Sequence, residues 1–234
     1  MKALVISLCL IVSLSAQEYV FGGGKNIVGQ KISALIVQKA YKRAGINVSV
    51  NWDTLQQSLL DSNMGINDGQ VGRADGITKK FSNLIKVPIS TSQIEAVAFS
   101  RDDSIEISSW ADLKDKDFMV IHGTKFIEYA TKDFKRKYAN SFDEAMKNLH
   151  ENKVDIVIAP KIGGLYSIFR NGYKDIQIVS LSLQDKKLYH FVHKKNKHLI
   201  PIITPILEKM KKSSEMRTIR QNFLISQLHN KSKN

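Results

Sequence analysis

Between Asn67 and Ile77 the chain reads NDGQVGRADGI, which is three glycines, two acids and one arginine in eleven residues. Gly69, Gly72 and Gly76 allow sharp turns or the close approach of a ligand. Arg73 lies among them with no bulky neighbour. A guanidinium so placed presents a planar fork of donors suited to a carboxylate or phosphate. The competing reading is a surface ion pair with Asp68 or Asp75. Asp68 in turn either orients Arg73 or caps a turn.

A second anion candidate is Gly123–Thr124–Lys125. It opens a helix directly after a strand, where free N–H groups and the helix dipole favour negative charge. The plainer reading is an ordinary strand-to-helix turn. Phe21 ends a strand beside three glycines and either stacks on a ligand or fills a core. Trp52 either lines a cleft or packs. Pro160 and Lys161 follow an apolar run and can face a cleft. The FGGGK segment at 21–25 lacks the spacing and the following Ser or Thr of a phosphate-binding loop. His190, His193 and His198 are crowded by lysines, and strand alternation puts His190 and His193 on opposite faces, so no metal is expected. No nucleophile, base and orienter combine, and no carboxylates pair at a suggestive spacing. An enzyme is therefore not expected, and neither is a cofactor. For an enzymatic alternative the nearest acid/base groups are His122 and Glu128.

The elements that must position these groups alternate in type. Glu18–Phe21 reads as a strand. Val28–Arg43 carries apolar residues at helical spacing, and Gly45 fits its C-terminal cap. Ile46–Val50 alternates like a strand. Asp53 can cap a helix through Met64. The glycine-rich stretch reads as a loop before strands at Leu84–Ile89 and Ile94–Ser100. Arg101–Ser104 is a polar connector. Then come a helical turn capped by Ser108 or Ser109, a strand at Phe118–His122, a helix at Lys125–Tyr138 and another at Phe142–Asn152. VDIVIA (Val154–Ala159) reads as a central parallel strand. Pro160 starts a helix to about Phe169, and Ile176–Leu181 is a strand. Leu188–Val192 is a further strand, followed by helices at Leu199–Lys212 and Met216–Leu228. This rhythm predicts an α/β fold in two units.

Length and composition set the frame. The 234 residues suffice for one large or two small domains, and 43% hydrophobic content fits a globular protein. The N-terminus reads as a secretory leader, with Lys2 before an apolar run, Ala3–Leu14, and small residues at Ser15–Ala16. Cleavage is expected after Ala16. A spanning helix needs about 20 apolar residues, so the run is too short for an anchor. The one cysteine, Cys9, falls within the leader. The processed chain then has no thiol, which excludes disulfides, cysteine catalysis and cysteine-bound metal. The net charge of +13 suits anionic solutes or surfaces. For an exported protein nucleic acid is not the expected partner.

The order of segments resembles the extracytoplasmic solute-binding proteins of the amino-acid-binding type (family 3). The resemblance covers the chain after the leader. It rests on DG-x-x-x-R (Asp68, Gly69, Arg73), LIKVP (Leu84–Pro88), SSWADLKDKDFMVIHGT (Ser108–Thr124), NLHENKVDIVIAP (Asn148–Pro160) and KLYHFVHKKNKHL (Lys187–Leu199). It implies a two-lobed, type II periplasmic-binding-protein-like fold with two hinge crossings. Lobe one would span 17–102 plus 185–234, and lobe two 103–184, with 1–16 as signal peptide. The hinges would be Arg101–Ser104 and Leu183–Lys187. It implies a monomer in the periplasm that captures a small-molecule solute, amino-acid-like and either anionic or zwitterionic, for an ABC-type permease or a sensor protein. Relatives that are cyclic-acid dehydratases supply the enzymatic alternative, and a ligand-poor envelope accessory protein is a third. Where amino-acid binders carry a serine/threonine-rich segment before a carboxylate-binding arginine, this chain has ADGITKKF with Lys79 and Lys80, and Arg73 stands earlier.

Overall fold

A computed structural model describes residues 18–25 and 27–229. The expected leader, its cleavage point and Cys9 lie outside the described residues. In chain order the elements are β1 (Glu18–Gly24), α1 (Val28–Arg43), β2 (Asn47–Asp53), α2 (Leu55–Met64), β3 (Gly69–Ala74), β4 (Leu84–Ser100), β5 (Phe118–Ile121), α3 (Lys125–Ala130), β6 (Lys137–Ala139), α4 (Phe142–His150), β7 (Ile156–Pro160), α5 (Lys161–Asn171), β8 (Gln177–Ile178), β9 (Gln184–His193), α6 (Leu199–Lys212) and α7 (Glu215–His229). A short 3-10 turn, Trp110–Leu113, precedes β5, with a capping box between Ser109 and Asp112.

The strands lie in the order β2-β1-β3-β9-β4-β7-β5-β6, with β8 paired to β4. Each flank is a parallel triplet: β1 pairs β2 and β3, and β5 pairs β6 and β7. Helices cover these triplets, as parallel strands require. In the middle the long strands β4 and β9 run antiparallel to each other from Leu84–His193 to Ala96–Gln184. They tie the two α/β units together.

Each unit has its own core. In the first, Phe21, Ile36, Tyr41, Val71, Val87, Val192 and Leu207 pack together, and α6 and α7 close over them. The second has a core on each sheet face. Val97, Phe99 and Val157 point to α4 and α5, and Ala98, Phe118 and Ile158 point to the other face. The period of two along β4 and β7 produces this division.

Several sequence expectations are corrected. Residues 69–74 form a strand, not a loop, because the glycines there serve packing. A Cβ on Gly69, whose φ is +154°, would meet the Phe191 carbonyl oxygen at 2.1 Å. Leu84–Ser100 is one strand of 17 residues, not two, because β9 pairs on both sides of the register shifts around Ser90. The helix from Lys125 stops at Ala130. There Arg136 donates to the Glu128 carbonyl at 2.9 Å and to the Thr131 hydroxyl at 3.0 Å, ending the turn. Packing changes from the first core to the others between Val87 and Ala96, and Arg101 pairs with Asp175 of the second unit at 2.5 Å.

Candidate functional site

The two parallel triplets end their strands at a common gap. Its walls come from the start of α1, the first turn of α2, the end of β3, the turn after β5 and the junction of β7 with α5. Ligands in open α/β sheets bind outside the carboxyl ends of strands for this reason: loops and helix starts converge there. The cleft encloses about 1600 Å³, above the roughly 300–1,000 Å³ usual for a small-molecule pocket. A smaller depression of about 560 Å³, beside Arg43, Pro205, Ile206 and Lys209, has no comparable set of polar groups.

Arg73 lines the cleft from the end of β3. Its Nε donates to Gln70 Oε1 at 2.8 Å, and one Nη donates to the Leu55 carbonyl in the first turn of α2. Neither acceptor is charged, and among the described residues Arg73 makes no ion pair. Burial pushes its pKa down to about 10, which leaves it a cation at neutral pH. A half-buried cation held by neutral groups is an expensive arrangement unless an anion completes it. A guanidinium has five N–H donors, so two bonds leave most of its donors for a guest.

Gln70 is the support that sequence reasoning missed. It is fully buried, and its Nε2 donates to the Ser58 carbonyl at 2.6 Å, the Ser58 hydroxyl at 2.8 Å and the Ser62 hydroxyl at 2.7 Å. These bonds fix which end of the amide faces Arg73. A Cβ on Gly22 would come within 2.5 Å of that Nε2, so β1 passes as close as a glycine allows. The backbone of Gln70 is held as well. His190 Nδ1 donates to its carbonyl at 2.7 Å, and His190 Nε2 accepts from the Tyr41 hydroxyl at 3.0 Å. Burial depresses the His190 pKa to about 4, so the ring is neutral, as that pair of bonds requires. The sequence signal for Gln70 was a polar residue amid small ones on a strand, too common a pattern to single out.

The remaining candidates separate into two groups. Gly123, Thr124, Lys125 and Pro160 line the same cleft on the second unit. The turn at 123–125 is not the free anion cradle its sequence suggests. The Gly123 N–H donates to Glu128 Oε1 at 2.7 Å, that of Thr124 to Ile121 at 3.2 Å, and that of Lys125 to Gly123 at 2.9 Å. The helix behind them has six residues, too short for much of a dipole. The Lys125 ammonium is paired with Glu128 at 2.7 Å.

Phe21, Trp52 and Asp68 are not among the residues lining the cleft. Phe21 is fully buried, edge-on to His190 with centroids 4.6 Å apart, and belongs to the first core. Trp52 packs against that core over Gly23. Asp68 faces away from Arg73. It accepts from the Val20 N–H at 2.9 Å and from Asn196 at 2.8 Å, and pairs with Lys195 at 3.0 Å. It acts as a clamp between β1 and the start of α6. Trp110 packs on the second unit and also edges the cleft.

Of the two acid/base candidates, Glu128 has the wrong charge state for proton donation. Burial alone would raise the Glu128 pKa, but hydrogen bonds from Lys125, the Gly123 N–H and His122 outweigh it and hold the group below the ordinary carboxylate range. It is an acceptor that fixes the turn. Among the described residues no cluster of His, Cys, Asp or Glu is arranged to hold a metal, and no helix is long and apolar enough to cross a membrane.

No family model matches the sequence, and no curated protein matches it. Solved structures do match in shape. The ligand-binding core of GluR0 in complex with L-glutamate is 15% identical, with a TM-score of 0.74, covering 91% of this chain and 99% of that one. An amino-acid ABC transporter substrate-binding protein from Streptococcus pneumoniae bound to L-arginine is 14% identical, with a TM-score of 0.71 and coverage of 90% and 96%. A histidine kinase sensor domain with similarity to periplasmic binding proteins is 15% identical, with a TM-score of 0.71 and coverage of 88% and 95%. The chain thus has the two-lobed α/β fold of periplasmic binding proteins, with β4 and β9 as the two crossings.

Proposed function

We propose that this chain is an exported solute-binding protein that closes its two lobes on a small anionic or zwitterionic solute. The observation that carries the reading is Arg73: a guanidinium lining the cleft, braced by Gln70 and the Leu55 carbonyl, with no ion pair among the described residues. Closure turns on β4 around residues 90–95 and on β9 around 184–187, where neither core reaches. It brings the two walls of the roughly 1600 Å³ cleft closer around the solute. Ligand stabilises the closed form by binding it better than the open one. The closed monomer is then read by an ABC-type permease or a sensor protein. The likeness to a substrate-binding protein and to a kinase sensor domain favours this pair of partners. No cofactor takes part, and with Glu128 ionised and bound the protein binds without catalysing.

The test is a solute screen by thermal shift, followed by calorimetry with each hit. Arg73→Ala should weaken a hit by about 1–3 kcal/mol, the scale for a charged hydrogen bond. Small-angle scattering should show the protein contracting on saturation. Unchanged affinity in the variant removes Arg73 from the site, and hits without contraction remove the closing mechanism.

A further inference from the structure

Resting on the solute-binding reading, the charge pattern of the cleft narrows the solute's chemistry. Seven lysines and arginines line the cleft, against two carboxylates, Asp75 and Glu95. Both carboxylates are already committed. Asp75 pairs with Lys86 at 2.7 Å. Glu95 accepts from Gln93 at 3.0 Å and lies 3.4 Å from Lys161 of α5 and 4.0 Å from Arg220 of α7. Glu128, which reaches the rim from α3, is bound to Lys125, His122 and the Gly123 N–H. An α-amino acid brings an ammonium as well as a carboxylate. Enclosing that ammonium calls for a counter-charge, and each nearby one is taken by a cation of the protein itself.

One acceptor among the cleft-lining residues is neutral and unpartnered. Gln184 Oε1, at the start of β9, is buried without a hydrogen-bond partner among the described residues. An amide oxygen satisfies a hydroxyl but does not neutralise an ammonium. Apolar side chains also line both walls, with Leu55, Leu59 and Ile77 on one side and Phe126 and Phe142 on the other. Phosphate is less well served than carboxylate, because the three N–H groups of the 123–125 turn are all used internally.

We propose that the solute is a carboxylate with an apolar or aromatic body and no ammonium group, such as a hydroxy acid or a simple organic acid, rather than an amino acid. Arg73 takes the carboxylate, and the hydrophobic walls take the body.

Isosteric pairs test this directly. L-phenylalanine against L-phenyllactate, and L-leucine against L-hydroxyisocaproate, exchange an ammonium for a hydroxyl at nearly constant shape. Calorimetry on the full chain should find the hydroxy acid of at least one pair bound about tenfold or more tightly than its amino acid, about 1.4 kcal/mol. Equal or tighter binding of the amino acids overturns this inference and leaves solute binding intact. Inorganic phosphate competing as well as phenyllactate overturns the carboxylate assignment alone. No heat from either series, nor from phenylpropanoate, overturns the inference together with the reading it rests on.

Discussion

Replacing His190 with glutamine should flatten the acid limb of the stability curve. The ring is fully buried between Phe21 and Tyr41, with one nitrogen donating to the Gln70 carbonyl and the other accepting from the Tyr41 hydroxyl. Burial lowers its pKa from 6.5 to about 4. Above pH 6.5 the ring is neutral in both folded and unfolded chains, and folding is independent of it. As pH falls below 6.5 the unfolded chain takes up a proton that the folded chain refuses until about pH 4. Stability is therefore present above the unfolded value and drains away across this window. At 1.36 kcal/mol per pH unit the loss approaches roughly 3 kcal/mol, a large part of the 5–15 kcal/mol typical of a domain. Glutamine offers an N–H to the Gln70 carbonyl and an oxygen to the Tyr41 hydroxyl, but takes no proton. Urea denaturation from pH 7.5 to 4 should show the wild type losing about 2–3 kcal/mol more than His190→Gln. The bound carboxylates, Asp68 and Glu95 among them, have depressed pKa values and lose their contribution as pH falls below the ordinary carboxylate values, which overlaps only the acid end of this window. Both proteins share that loss, so it cancels in the difference. Parallel curves for the two proteins would show that His190 does not titrate differently on folding, and would remove it as the prop behind residue 70.

Three further outcomes follow from the site. Gly22→Ala places a methyl 2.5 Å from Gln70 Nε2 and 2.6 Å from the Ser58 hydroxyl; it should cost about 1–3 kcal/mol in denaturant and weaken any bound anion by loosening the brace on Arg73, whereas wild-type affinity would show that the brace is dispensable. Glu95→Gln removes a negative charge beside Lys161 and Arg220 and should tighten an anionic solute about two- to fivefold by calorimetry, about 0.5–1 kcal/mol for a partly solvated pair; weaker binding would mean that Glu95 receives a positive group of the ligand. Affinity for a singly charged anion should fall as salt rises from about 0.05 to 0.5 M, because part of the attraction to the lysine-rich cleft acts through solvent, and salt-independent binding would confine the attraction to Arg73 alone.

What the residues disclosed in advance depended on the range over which their signal acts. The bounds of α1 and α6 were legible to the residue, since the apolar spacing and the lysines ending each helix are local. The apolar run of β7 announced a strand buried on both faces. The two strands expected at Leu84–Ile89 and Ile94–Ser100 are one, because the strand is sustained by ladder bonds to β9, about a hundred positions away. The site divides in the same way. Arg73, picked out as an arginine between glycines, does lie at the cleft. Between the alternatives open for Phe21 and Asp68 the choice is made by His190 and by Asn196 and Lys195, partners that no local pattern predicts. The turn at 123–125 shows the limit most plainly. Its sequence is that of an anion-binding helix start, yet one glutamate on the helix that follows accepts the leading N–H and pairs with the lysine. A sequence offers donors, and only the three-dimensional neighbours decide whether they are spent internally or left for a guest. In this cleft the turn's donors are spent and the arginine's are not, which is why the functional reading rests on residue 73.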